Sequence, residues 1–403
     1  MTIISQMPRV GPARPGARGS GLRVPGLDWL LLGSVLALSV LGCLLVWSAT
    51  SGADSTAGSG YLARQVVNLG VGLVLLTVLL VVDHRWVRIV APLVYVASVV
   101  GLLLVLVMGT TINGSRSWLM IGGLSVQPSE FAKLAVVIGM ALVVAERTEG
   151  RWRARVGLVD VALMLLVAGV PAVLILLQPD LGTMLVLTAT VFGVLAVSGA
   201  PRRWLALLAG GGVTAAVAAV ASGFLADYQV DRFLAFTDPE LDPLGAGYNV
   251  EQARIAVGNG GLFGQGLFDG SQTRAGFVPE QHTDFVFTVA GEELGLVGAG
   301  LVIALLGVVL WRALAIAVAA DDLFGRIAAA GIACWFGFQA FQNIGMCLGI
   351  MPVTGVPLPF VSYGGSSMFA GMLAVGLLQN IHLRSVSGPQ ARLRPPSRVL
   401  VRS

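Results

Sequence analysis

One lysine, Lys133, and a glutamate three residues before it, Glu130, open an apolar run. Residues three apart share a helix face, so the two side chains can meet. A charge at membrane depth is costly, and it marks either a function or a buried pair. Two readings follow. The pair is an internal bridge that pins helices together, or Lys133 meets an anionic group with Glu130 orienting it. Asp180 lies in the turn Gln178-Pro179-Asp180-Leu181-Gly182, where an aspartate can cap the following helix. His282-Thr283-Asp284 precedes another apolar run, and Glu292 and Glu293 follow about two turns later. Asp284 is either an N-cap or a carboxylate placed to take a proton. Arg116 and Trp118 are either interfacial anchors or ligand contacts.

Other chemistries find no footing. There is no Ser-x-x-Lys or Gly-x-Ser-x-Gly nucleophile motif and no Walker A sequence. The Gly258–Gly266 run has several glycines but no flanking strand–helix unit, so it reads as a turn and not as a dinucleotide fingerprint. No His/Cys/Asp set has zinc spacing. Cys43, Cys334 and Cys347 each lie in an apolar segment and read as small buried hydrophobes.

The elements that must position these residues are membrane helices. Of 403 residues 56% are hydrophobic and 11% charged, where a soluble domain carries roughly 25% charged residues. The mean hydropathy is +0.86. Lipid must therefore solvate most of the chain. The net charge of +4 is small, and nothing in it suggests a nucleic-acid partner. Apolar runs at 27–48, 62–82, 86–108, 129–146, 157–177, 181–199, 204–225, 296–317, 327–350 and 365–383 predict about ten transmembrane helices. The expected fold is an all-α polytopic membrane protein. Residues 1–26, rich in Pro, Gly and Arg, read as a disordered tail, and residues 385–403 as a basic one.

Arginine sets the orientation. It crowds the N-terminal tail, 85–88, 147–155, Arg202, Arg203, Arg326 and the C-terminal tail, and it thins out in the alternate loops. Both termini are expected in the cytoplasm, as an even span count requires. Residues 226–283 form one large, acidic, extracytoplasmic loop, expected to be a structured cap. The candidate residues Glu130, Lys133, Asp180, His282 and Asp284 then gather at the outer boundary.

Several blocks in order resemble the SEDS family of peptidoglycan glycosyltransferases. They are Asn113–Trp118 with Gln127–Leu134, Gln178–Thr183, Asp242–Asn249, Pro279–Phe285 and Gly355–Ser367. Within that family Gly247-Tyr248-Asn249 and Phe277–Glu280 are similar to the RodA-like elongation branch. The resemblance implies an enzyme of the cell membrane that polymerises lipid II into glycan strands for cell elongation and shape. It releases undecaprenyl diphosphate and inverts the donor carbon. It also implies Asp284 as the catalytic base and a class B penicillin-binding protein as transpeptidase partner.

In this reading Lys133 and Arg116 hold the diphosphate, with Glu130, Trp118 and His282 as further substrate contacts. A divalent cation, Mg or Mn, is a further expected aid at the diphosphate. The alternatives are a lipid II flippase and an FtsW-like division polymerase. A transporter places its ionisable groups near the midplane, and the outer-boundary position here favours an enzyme.

Overall fold

The computed structural model describes residues 26–52, 55–82, 84–112, 115–121, 124–148, 156–223 and 245–387. The expected tails lie outside the described residues, apart from Gly26 and 385–387. So does residues 226–244 of the expected outer loop.

Ten long helices among the described residues overlap the ten apolar runs. They are α1 (Trp29–Thr50), α2 (Ser55–Val81), α3 (His84–Met108), α4 (Pro128–Thr148), α5 (Leu158–Leu176), α6 (Leu181–Val197) and α7 (Arg202–Ala221), then α10 (Val286–Ala319), α11 (Leu323–Cys347) and α12 (Gly365–Ser387). Between α7 and α10 the described chain forms α8 (Ala246–Asn259) and the short α9 (Ser271–Ala275). Seven helices, α1 to α5, α10 and α11, are long and apolar enough to cross a bilayer.

Burial sorts them into a centre and a rim. The apolar stretch of α4 is 83% buried and that of α11 72%, against 17% for α2 and 22% for α3. The rim helices show rows of bare valine and leucine outward, such as Val67, Val74 and Val78 on α2 and Leu93 and Val107 on α3. Water would not tolerate so continuous an apolar surface, whereas lipid does. The chain is a multi-pass membrane protein.

Two expectations need correction. The chain is not wholly α-helical, because three antiparallel strands separate α3 from α4. They are β1 (Thr110–Ile112), β2 (Ser115–Ile121) and β3 (Leu124–Val126), in that order. The sequence carries Asn113-Gly114 and Gly122-Gly123 between the strands, dipeptides that favour tight hairpin turns.

The second correction concerns α10, which begins at Val286, ten residues before the expected span, and breaks at Gly295 (φ 68°, ψ −165°). The break leaves backbone groups without helical partners, and residues 260–266 supply them. Gln265 and Gly266 donate their N–H groups to the Glu292 and Glu293 carbonyls, each at 3.0 Å. On the far side Leu296 and Val297 donate to Gly261 and Leu262, at 2.9 and 3.1 Å. Such an approach requires glycine. A Cβ on Gly264 (φ +80°) would lie 2.1 Å from the Glu293 carbonyl oxygen, and one on Gly295 would lie 2.3 Å from the Gly264 nitrogen.

Candidate active site

The break shortens the membrane-crossing part of α10 and turns residues 286–294 into a separate arm, with Asp284 just before its start. The buried Glu292 secures this arm from below. Its carboxylate accepts from the Gln272 N–H at 2.7 Å, the Thr273 N–H at 2.9 Å, the Thr273 hydroxyl at 2.6 Å and the Ser271 hydroxyl at 3.2 Å. Glu293 accepts from the Ser48 hydroxyl at 2.6 Å, which ties the arm to α1. Both glutamates are thus scaffold groups.

Asp284 sits on the wall of a cavity of about 520 Å³. The wall draws on Ser115, Ser117 and Trp118 of β2; Ser125 of β3 with Gln127; Asp180 before α6; Asn249 of α8; Glu280, Thr283 and Asp284; and the chain from Val353 into the start of α12. The turn carrying Asp284 is wound about the Glu280 carbonyl, which accepts N–H groups from Thr283, Asp284 and Phe285 at 3.0–3.2 Å. Glu280 itself has φ +50°, a sparsely populated conformation for a residue with a Cβ. From α11, Asn343 donates at 2.7 Å to the carbonyls of both Asp284 and Val356, which locks the turn to the opposite loop. Gly355 (φ +69°) packs beneath the carboxylate, where a Cβ would lie 3.3 Å from Asp284 Oδ2.

Three carboxylates, Asp180, Glu280 and Asp284, face the cavity among hydroxyls and amides, and no Lys, Arg or His is among its described lining residues. Asp180 is also the N-cap of α6, accepting from the Thr183 N–H at 2.9 Å and its hydroxyl at 2.8 Å. It therefore combines the capping role with a place on the wall. Trp118 lines the cavity as well.

The other expected contacts lie elsewhere. Lys133 has no exposed surface; its ammonium bonds Glu130 at 2.7 Å and Gln339 at 2.8 Å and stands 5.2 Å from the centre of the Trp335 ring. Direct contact between Lys133 and a diphosphate is therefore not made in this geometry, and the helix-pinning bridge is. Glu130, also buried, orients the lysine as expected but does not line the cavity. Arg116 is exposed and donates to the Gly109 and Val107 carbonyls at 2.8 and 2.9 Å. It closes the C-terminus of α3, where orphan carbonyls attract a cation. His282 is behind the wall, packed on Tyr61 and Tyr363, and burial pushes its pKa below the usual histidine value.

The sequence reading missed the amides that hold the wall. Gln339, Gln342 and Asn343 are buried on α11. Gln339 accepts from Lys133 and from the Trp335 indole N–H at 2.7 Å, and donates to the Pro357 carbonyl at 2.8 Å. Gln342 donates to the Thr354 hydroxyl at 2.7 Å. Three amides within five residues of an apolar helix were the available signal, since polar side chains at membrane depth find partners on neighbouring segments.

Comparison with known proteins places this arrangement. The FtsW/RodA/SpoVE cell cycle protein model matches residues 28–386. The chain belongs to the FtsW/RodA/SpoVE family. Peptidoglycan glycosyltransferase MrdB of Escherichia coli K12 is 39% identical over 357 residues, covering 88% of this chain and 93% of that relative. A chain from a solved peptidoglycan synthase complex, described as coordinating polymerization and crosslinking, is 38% identical with a TM-score of 0.73, covering 90% of this chain and 99% of its own. The Thermus thermophilus rod shape determining protein RodA gives a TM-score of 0.66 at 35% identity, covering 90% and 98%. The described residues of this family member contain no group of three or more His, Cys, Asp or Glu placed to hold a metal. The divalent cation expected as an aid at the diphosphate therefore finds no such group among the described residues.

Proposed function

We propose that the chain is a peptidoglycan glycosyltransferase that polymerises lipid II, with Asp284 as the base. In this reading all ten long helices span the cell membrane, both termini lie in the cytoplasm, and the cavity opens on the extracytoplasmic side, as the arginine distribution supports. The reaction there needs a substrate that brings its own activation, and a sugar on undecaprenyl diphosphate does so. Asp284 takes the proton of an acceptor 4-hydroxyl. The oxygen forms a bond to the donor C1, the C1–phosphate bond breaks, and its electron pair leaves with the already anionic diphosphate. A single displacement inverts the carbon.

One observation carries this reading. The Asp284 carboxylate stands on a roomy cavity wall, and its backbone is fixed by Asn343 and by the Glu280 turn. Hydroxyl and amide neighbours suit the uncharged sugars. Like-charge repulsion disfavours a diphosphate directly against Asp180, Glu280 and Asp284, so the proposal keeps the leaving group away from these carboxylates. Lys133 acts through Gln339 and Pro357 on the shape of the wall. Arg116 holds β2 to the end of α3 and so supports Trp118. No step is routed through a cation.

The proposed role is cell elongation, with a class B penicillin-binding protein as crosslinking partner; the likeness to a synthase-complex chain supports that pairing. Purified Asp284→Asn is expected to insert and unfold like the parent protein, while glycan synthesis from lipid II falls at least a hundredfold. Near-parental product would remove Asp284 as the base. Synthesis in detergent, where there are no two sides, also separates a polymerase from a flippase.

A further inference from the structure

One ring on the cavity wall has no part in the proton transfer. Tyr363 lines the cavity within three residues of a strained backbone, Phe360 at φ +66°. The segment is fastened from several sides. Ser362 accepts the Leu358 N–H on its hydroxyl at 2.7 Å, and its carbonyl accepts from Gln65 of α2 at 3.2 Å. The Tyr363 N–H donates to the His282 carbonyl at 2.9 Å, two residues before Asp284. Gly42 of α1 abuts Val361, where a Cβ would lie 2.4 Å from its carbonyl oxygen.

The ring itself is braced by two others. Tyr61 meets it at 5.2 Å between centres and 72° between planes, and His282 at 5.6 Å and 51°. Tyr61 and His282 meet each other at 5.0 Å and 65°, which closes a triangle drawn from α2, the Asp284 turn and the loop before α12. Edge-to-face contacts of this kind fix ring orientation. Burial pushes the His282 pKa down, against the smaller upward pull of Glu280, which favours the uncharged ring in this packing.

A pyranose has one face of C–H bonds, apolar and weakly positive, which matches the negative face of an aromatic ring. Its hydroxyls suit the surrounding carboxylates and hydroxyls. We propose that Tyr363, braced by Tyr61 and His282, is the platform on which the acceptor sugar rests while its hydroxyl meets Asp284. Tyr363 is then a substrate-binding residue, and Tyr61 a positioning residue acting through it. This inference rests on the polymerase reading.

The test is steady-state polymerisation of lipid II by the purified full chain in detergent. Tyr363→Phe keeps the ring and is expected to stay within twofold of the parent. Tyr363→Leu keeps apolar bulk without a π face, and is expected to raise KM at least tenfold with kcat within threefold. Tyr61→Leu moves KM the same way by a smaller factor, and Tyr61→Phe restores it. The Tyr61 pair serves alone if Tyr363→Leu does not fold. A parental KM in the leucine variants overturns the platform, as does equal damage from Tyr363→Phe and Tyr363→Leu, which would assign the effect to the hydroxyl. Each of these results leaves Asp284 untouched. Failure of the parent chain to polymerise at all would sink the polymerase reading instead.

Discussion

The two ends of the helix bundle are held by different chemistry. At the arginine-rich end ion pairs join neighbouring helices, beside the Gln379 amide that bonds the Asp28 backbone. Arg312 bonds Asp28 at 2.6 Å, Arg88 bonds Glu146 at 2.9 Å, and Arg147 pairs with Asp160. At the cavity end the fastenings are mostly backbone bonds, neutral amides and close glycine contacts, together with the fully buried Lys133–Glu130 pair. The four described non-glycine residues at positive φ, Pro179, Phe268, Glu280 and Phe360, all belong to cavity-end segments. Local strain persists only where surrounding structure over-determines it. One end tolerates loose geometry because charge attraction is forgiving, and the other holds the cavity wall in fixed places by backbone splices, amides and close glycine contacts.

That contrast predicts unequal damage. The largest effect is expected at the spliced break of α10. Gly264→Ala puts a methyl group against the Glu293 carbonyl at a left-handed φ, with both neighbours backbone and unable to yield. A loss of about 3–5 kcal/mol is expected, seen as failure to recover a monodisperse protein. Near-parental yield would show the splice to be slack.

Lys133→Met comes next. It leaves Glu130 charged and buried, with an expected cost of about 3–5 kcal/mol. Adding Glu130→Leu should recover much of the thermal midpoint. If lipid II polymerisation returns with it, the pair is a scaffold acting through Gln339. If stability returns without activity, the ammonium itself serves the substrate. Arg88→Met at the other end is expected to cost no more than about 1 kcal/mol, since Glu146 is largely exposed. A larger shift of the thermal midpoint would blur the contrast between the ends.

The helices were legible because each apolar run is about as long as a bilayer is thick. Asp284 and Trp118, singled out by residue type and place, both line the cavity. What hydropathy missed was protein-lined polarity inside the membrane boundary. Glu292 and Glu293 stood out as charges without a role, because a window of residues cannot see that residues 271–273 bond Glu292 and Ser48 bonds Glu293. For Lys133 the sequence left an internal bridge and an anion contact both open, since its second partner, Gln339, is two hundred residues away. The strands at 110–126 escaped because they are short and their apolar alternation is weak, although Asn113-Gly114 announced a turn.

The most direct test sets Asp284→Asn beside Asp28→Asn in one assay of thermal midpoint and glycan product per folded molecule. Asp28 accepts the Leu31 N–H at the head of α1 and pairs with Arg312, so its neutral variant should lower the midpoint by about 1.5–3 kcal/mol of stability and keep its product. Asp284→Asn should keep the midpoint and lose the product. The account is contradicted if Asp284→Asn polymerises normally, or if Asp28→Asn, fully folded, does not.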